Sequence, residues 1–228
     1  MIKSVAGAAT AAAGLTIVWL ATAHAQTSPR QPDVNHGGVI VAQGTPAGAP
    51  ACAQCHAFNG ASDGSGAFPR IADQSAYYLA EQLREYASNK RTNAIMSPVA
   101  AALSPDDIAD VSAYYANVSA PFLPLASPNA TLVTQGEKLA KVGNAQRRIQ
   151  ACDNCHGPGG VGEPPAIPYL AGQYENYITA QLQMWRQGYR KNSEDAMALL
   201  AKELEPQEIA AVAAYYQQVR AGGVVASK

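Results

Sequence analysis

Cys52-Ala53-Gln54-Cys55-His56 and Cys152-Asp153-Asn154-Cys155-His156 are the residues whose types and spacing suit a definite chemistry. Each is a C-x-x-C-H run. Two thiols one helical turn apart can add across the two vinyl groups of one haem, and the imidazole that follows then binds the iron. The two runs use all four cysteines of the chain, so none remains for a disulfide or a catalytic thiol. Zinc sites usually bring their C-x-x-C halves within about 15–20 residues of each other. Here the halves are 100 positions apart and each ends in histidine. That sets aside a structural zinc and a thioredoxin-like redox pair. The runs predict two covalently bound haem c groups, attached through Cys52, Cys55, Cys152 and Cys155, with iron ligands His56 and His156.

The N-terminus agrees about compartment. Lys3 precedes an uncharged stretch from Val5 to Leu20 rich in Ala, Gly and Thr, which ends at Ala23-His24-Ala25. This is the pattern of an export signal at residues 1–25, cleaved near Ala25, with Gln26 as the first mature residue. The competing reading is an uncleaved anchor, since the run approaches spanning length. Haem is attached to c-type proteins outside the bacterial cytoplasmic membrane, so the expected location is the periplasm. No later segment is apolar enough to span a bilayer, which leaves a soluble or peripherally attached protein.

The rest of the chain repeats itself at an offset near 100. Pro69 matches Pro168, Tyr78 matches Tyr177, Gln82-Leu83 matches Gln181-Leu182, and Arg91 matches Arg190. After two extra residues Met96, Pro105, Ile108, Val111 and Tyr114-Tyr115 match Met197, Pro206, Ile209, Val212 and Tyr215-Tyr216. The simplest account is two copies of one haem domain, at 26–118 and 131–228. Residues 119–130 join them, stiffened by Pro121, Pro124 and Pro128.

Periodicity within each copy is helical. Leu79, Leu83 and Tyr86 fall at i, i+4, i+7, as do Ile178, Leu182 and Trp185. Ile108, Val111, Tyr115 and Val118 form a second stripe, repeated by Ile209, Val212, Tyr216 and Val219. Pro105 and Pro206 open these last helices, with Asp107 and Glu208 in the first turn. Ser104 is a good N-cap and Glu205 a poorer one. A helix ending near Lys141 leads into the second haem motif. In the first copy its counterpart looks degraded, because Gly44, Pro46, Gly48 and Pro50 crowd the approach to Cys52. No run alternates as a strand does, so the fold expected is all-α, a few short helices around each haem.

Three methionines follow the export segment. Met96 lies 40 residues after His56 and Met197 lies 41 after His156, whereas the position matching Met184 is Glu85. Met96 and Met197 therefore pair as distal thioether ligands, an arrangement that raises the reduction potential relative to bis-histidine. Met184 reads as a packing residue of its helix. The other distal candidate is His36, alone in a Gly-rich stretch where solvation is its ordinary fate. Arg91 and Arg190 suit haem propionates, and an arginine in a basic surface turn would look the same. Tyr78 and Tyr177 suit the same region or simple packing.

The ordered set of motifs resembles the class I cytochromes c, and the dihaem cytochrome c4 family in particular. The order is haem motif, P-x-[IL]-A-x-Q, Y-x-x-x-Q-L, R-x-N, Met, then L-x-P-x-x-I-A-x-V-x-A-Y-Y, from about Gly37 to Val219. The resemblance implies two tandem class I cytochrome c domains related by a pseudo-twofold axis, haem propionate edges facing across the interface. It also implies that the Pro69 and Pro168 carbonyls accept the Nδ1 protons of His56 and His156, which orients each ring and strengthens it as a ligand.

Charge excludes nucleic acid, since the chain carries no basic stripe. From Gln26 to Leu125 there are 5 basic and 8 acidic side chains, and from Ala126 to Lys228 there are 10 and 9. On net charge alone the more acidic first copy stabilises its oxidised haem and has the lower potential. Arg147 and Arg148 stand before the second haem motif as a docking patch or a solvated pair. Three function classes follow. The first is a carrier of single electrons in a bacterial respiratory chain, from a quinol-oxidising complex or dehydrogenase to a terminal oxidase. The second is the haem-bearing acceptor subunit of a periplasmic dehydrogenase. The third is a haem enzyme such as a dihaem peroxidase or a thiosulfate-oxidising cytochrome. A methionine available to each haem, with no spare Cys or paired His, argues against catalysis at iron.

Overall fold

The computed structural model describes Met1 and residues 30–126, 128–192, 196–220 and 223–224. The expected export segment and cleavage site, as well as Ser127 in the expected linker, lie outside these. Ten α-helices occur among the described residues: α1 Val34–Gln43, α2 Ala53–His56, α3 Ala76–Ala87, α4 Met96–Ala101, α5 Pro105–Ala116, α6 Ala130–Val142, α7 Asp153–His156, α8 Glu175–Arg186, α9 Ala196–Glu203 and α10 Pro206–Gln218. A two-residue antiparallel pair, Val219–Arg220 with Gly223–Val224, follows α10. The fold is all-α in substance. No described helix is long and apolar enough to cross a membrane.

The apolar stripes do what their period requires. Ile108, Val111 and Tyr115 are buried on α5, and Ile209, Val212 and Tyr216 on α10. α1 packs on α5 and α3 on α4 and α5; α6 packs on α10 and α8 on α9 and α10. Ser104 caps α5 as expected, its hydroxyl accepting from the Asp107 N–H at 3.1 Å while the Asp107 carboxylate accepts from Ser104 N–H at 2.9 Å. Glu205 is also part of a capping box, because the Glu208 carboxylate accepts its N–H at 2.8 Å.

The first copy has the helix that its sequence marks as degraded. Asp33 caps α1, accepting from the Asn35 and His36 N–H groups at 2.9 and 3.2 Å. The glycines and prolines counted against it belong to the loop beyond its Gly44 cap. Gly37 and Gly136 are the closest points of the α1–α5 and α6–α10 crossings. A Cβ at Gly37 would overlap the Asp110 carbonyl, and one at Gly136 would overlap the Ala211 carbonyl. Glycine is there because two backbones meet, so helix propensity is the wrong guide. Gly136→Ala is expected to cost about 1–3 kcal/mol through overpacking. Denaturant unfolding of the haem-loaded protein checks this as a lower midpoint at an unchanged slope.

The two halves join through reciprocal contacts. Arg91 and Arg190 form an isolated antiparallel bridge, flanked by hydrogen bonds from Lys191 N–H to the Lys90 carbonyl at 2.9 Å and from Thr92 N–H to the Tyr189 carbonyl at 3.3 Å. Tyr169 donates to the Ala72 carbonyl at 2.8 Å, and Gln173 pairs with both backbone groups of Arg70. Residues 117–126 have no regular structure. Arg70 holds this stretch by donating to the Ala120 and Pro121 carbonyls at 2.8 and 3.3 Å and stacking over Phe122.

Candidate functional site

Each C-x-x-C-H run folds as a single turn, α2 or α7, with the first cysteine just before it and the histidine at its end. One turn is the right length to bring both thiols and the imidazole to one side. His56 and His156 are each 8% exposed. His56 Nδ1 is 3.3 Å from the Pro69 carbonyl and His156 Nδ1 is 2.8 Å from that of Pro168. A carbonyl only accepts, so each Nδ1 carries the proton and each Nε2 keeps its lone pair. Burial holds both imidazoles below their ordinary pKa, opposed in part by the proline carbonyls. Both rings are thus neutral, the form that ligates iron. Burial also pushes the Cys52 and Cys152 thiols up to about 11, so neither is an activated nucleophile in the unmodified chain.

A continuous cavity of about 420 Å³ runs through both halves. Cys52, Cys55, His56, Pro69, Arg91 and Met96 line it from the first half, and Cys152, His156, Pro168, Arg190 and Met197 from the second. Cys155 is exposed and is not part of the wall. Met184 also reaches the wall, with its sulfur 3.9 Å from the Gln181 side-chain amide nitrogen. His36 stands apart from the cavity, its Nδ1 2.7 Å from the carboxylate of Asp110. Arg147 is engaged within the second half by Glu205 and Glu208 and by the Glu203 carbonyl. It is therefore not a free docking charge.

Arg91 and Arg190 are the least expected part of the site. Each is 3% exposed, so neither sits in a surface turn. Arg91 donates to Gln82 at 2.8 Å in its own half, and to Tyr177 at 2.7 Å and Gln181 at 2.6 Å in the other. Arg190 donates to Gln181 at 3.1 Å, and across to Gln82 at 2.8 Å and Tyr78 at 3.3 Å. Arg190 also stacks on Trp185, and Arg91 on Tyr86. Burial, and then the facing Arg91 charge, press Arg190 below its ordinary pKa. Asn192 ties the network to Glu85 and Gln82. Gln82 and Gln181 had been visible only as markers of the repeat. The usable signal is a glutamine directly before the repeated leucine of each helix, Leu83 and Leu182.

The residues fit haem. The thiols of Cys52, Cys55 and Cys152, both neutral imidazoles and the thioethers meet in one largely apolar cavity, and Arg91 Nε is buried there without a hydrogen-bond partner. An orphaned guanidinium N–H beside a second buried guanidinium calls for an anion, and haem propionates are anions of the right kind.

The family model described as cytochrome c matches residues 41–119, and that described as cytochrome C oxidase, cbb3-type, subunit III matches residues 140–215. A thiosulfate dehydrogenase electron acceptor of Stutzerimonas stutzeri is 39% identical, over 74% of this chain and 79% of its own. A cytochrome c4 of Pseudomonas aeruginosa is 37% identical, over 73% of this chain and 82% of its own. Among solved structures, the thiosulfate dehydrogenase TsdBA of Marichromatium purpuratum superposes with a TM-score of 0.75 at 38% identity, covering 82% of this chain. This chain spans 40% of the length of that one.

Proposed function

The chain belongs to the dihaem class I cytochromes c of the cytochrome c4 family, carries two covalently bound haem c groups, and transfers electrons; from that premise we propose that it is a periplasmic carrier of single electrons in a bacterial respiratory chain. It takes them from a dehydrogenase or a quinol-oxidising complex and delivers them to a terminal oxidase. The observation that carries this reading is the single cavity holding a Cys–His–Met set from each half around a shared arginine network. Haem iron, when bound, supplies one-electron chemistry. The residues of the chain do the rest. Cys52 and Cys55, with Cys152 and Cys155, make retention independent of any binding equilibrium. Pro69 and Pro168 orient His56 and His156. Met96 and Met197 would offer their thioethers to the two irons, which would disfavour access by peroxide or thiosulfate. Arg91 and Arg190 neutralise the propionates where the halves meet.

A second reading is favoured by the likeness to an electron acceptor of thiosulfate dehydrogenase and to TsdBA. In it the protein is the haem-bearing acceptor of a periplasmic dehydrogenase. Stopped-flow mixing of the purified, haem-loaded protein with a quinol-oxidising complex and with a terminal oxidase separates the outcomes. A carrier is reduced by the one and oxidised by the other, both rates falling as ionic strength rises. Its own turnover of peroxide or thiosulfate at about 1 per second or more would overturn the reading. Co-elution of a stoichiometric dehydrogenase from periplasm would favour the second.

A further inference from the structure

The two haem motifs differ at the residue after the first cysteine. The first has Ala53 and the second Asp153. The Asp153 carboxylate is held by two donors, the Tyr216 hydroxyl at 2.8 Å on Oδ1 and the Gly159 N–H at 2.8 Å on Oδ2. Tyr216 is 1% exposed, so this is a fixed, partly buried group and not a solvated one. The matching tyrosine of the first half, Tyr115, donates instead to the neutral carbonyl of Ala57 at 3.1 Å. A negative charge one residue from the thioether position favours the oxidised, more positive iron of that haem.

A second difference points the same way. His156 Nδ1 approaches its proline carbonyl to 2.8 Å, whereas His56 stops at 3.3 Å. A tighter hydrogen bond from Nδ1 makes the imidazole a stronger donor to iron and further favours the oxidised state.

Net charge by halves argues for the opposite order, but it weighs the wrong groups. Asp33, Asp63, Asp73 and Asp106 of the first half are exposed, where water and salt screen them. Its one deeply buried acid, Asp110, faces His36 and the Asp33 N–H.

Building on the carrier reading, we propose that Asp153 tunes the haem bound at Cys152 and Cys155 to the lower potential of the pair. In the one-electron-reduced protein the electron then resides mainly on the haem of the first half. The device sets a direction along the chain, with the second half as the entry side and the first as the exit.

Redox titration of the full haem-loaded protein, followed optically, tests this with three variants. In Asp153→Asn the lower step moves up and the upper step stays, so the two converge. In Tyr216→Phe the carboxylate loses a donor and its charge is less compensated, so the lower step moves down. In Ala53→Asp a carboxylate is added to the first half, and the upper step moves down. Opposite signs from neighbouring substitutions are a result that a merely structural role does not produce. An Asp153→Asn protein with unmoved steps, or with the upper step moved, overturns the proposal. Haem content per chain is measured on the same samples. Fewer than two covalent haems would defeat the dihaem reading itself, a failure distinct from that of the tuning.

Discussion

Met197→Leu is expected to abolish about half of the weak near-infrared absorption of methionine-ligated ferric haem and to lower one of the two reduction potentials, and Met96→Leu to do the same for the other haem. Both methionines lie on the wall of the cavity that His56 and His156 also line. Met96 opens α4, where the Asn93 side chain accepts its N–H at 2.9 Å and pins the start of the helix. Met197 is the second residue of α9, packs against the core of the second half, and lines the cavity on which His156 also lies. Met184 is the necessary control, because it too reaches the cavity wall. Its sulfur lies against Gln181, and its carbonyl accepts from Tyr189 N–H at 3.0 Å and Arg190 N–H at 3.3 Å. Met184→Leu should leave both spectrum and potentials in place. If Met184→Leu removed the band and Met197→Leu did not, the ligand pair would have to be redrawn.

The largest effect on stability is expected from Arg91→Ala. The side chain binds Gln82, Gln181 and Tyr177 in a region closed to water. Its removal leaves those groups short of a partner and opens a void between the halves. Losing one member of a buried network costs about 3 kcal/mol or more. For a chain of this size that lowers Tm by roughly 6–12 °C. Arg91→Lys should recover little of it, since a point ammonium cannot serve three partners in the fixed plane that a guanidinium spans. A spectroscopic consequence follows as well. Deleting one positive charge beside both haems should lower both potentials, because each arginine donates into the opposite half. Calorimetry and a redox titration on the same variant check the two effects. A change in one potential alone, with Tm unmoved, would show that Arg91 is neither shared nor structural.

Much of this architecture was legible in the chain because it is written in local patterns. The leucine and isoleucine stripes of α3, α5, α8 and α10 carry the helical period, Pro105 and Pro206 mark two starts, and the haem motifs mark the cofactor. α1 escaped because Gly44, Pro46, Gly48 and Pro50, which suggest a degraded helix, belong to its C-terminal cap and the loop beyond. Within the helix, the reason for Gly37 lies 73 positions away, at the carbonyl of Asp110. The arginine network escaped for a related cause. Arg91 and Gln181 are 90 positions apart, and Arg190 and Gln82 are 108 apart. Repetition showed that both arginines matter without showing that they meet. Charge counted by halves treats exposed and fixed carboxylates alike, so it says nothing of a single carboxylate held beside an attachment site, such as Asp153.

The bridge between Arg91 and Arg190 has one more consequence. A contact in which residue i of one half meets its own counterpart in the other, and each side chain reaches into the partner's binding groups, is what a twofold homodimer would make. In such a dimer any substitution is made twice, and the two sites stay identical whatever changes. Held in a single polypeptide, each half is free to vary alone. His36 and Asp110 against Gln135 and Ala211, and Ala53 against Asp153, are differences that only this covalent joining permits. The molecule keeps the economy of a symmetric interface while giving its two metal centres separate histories.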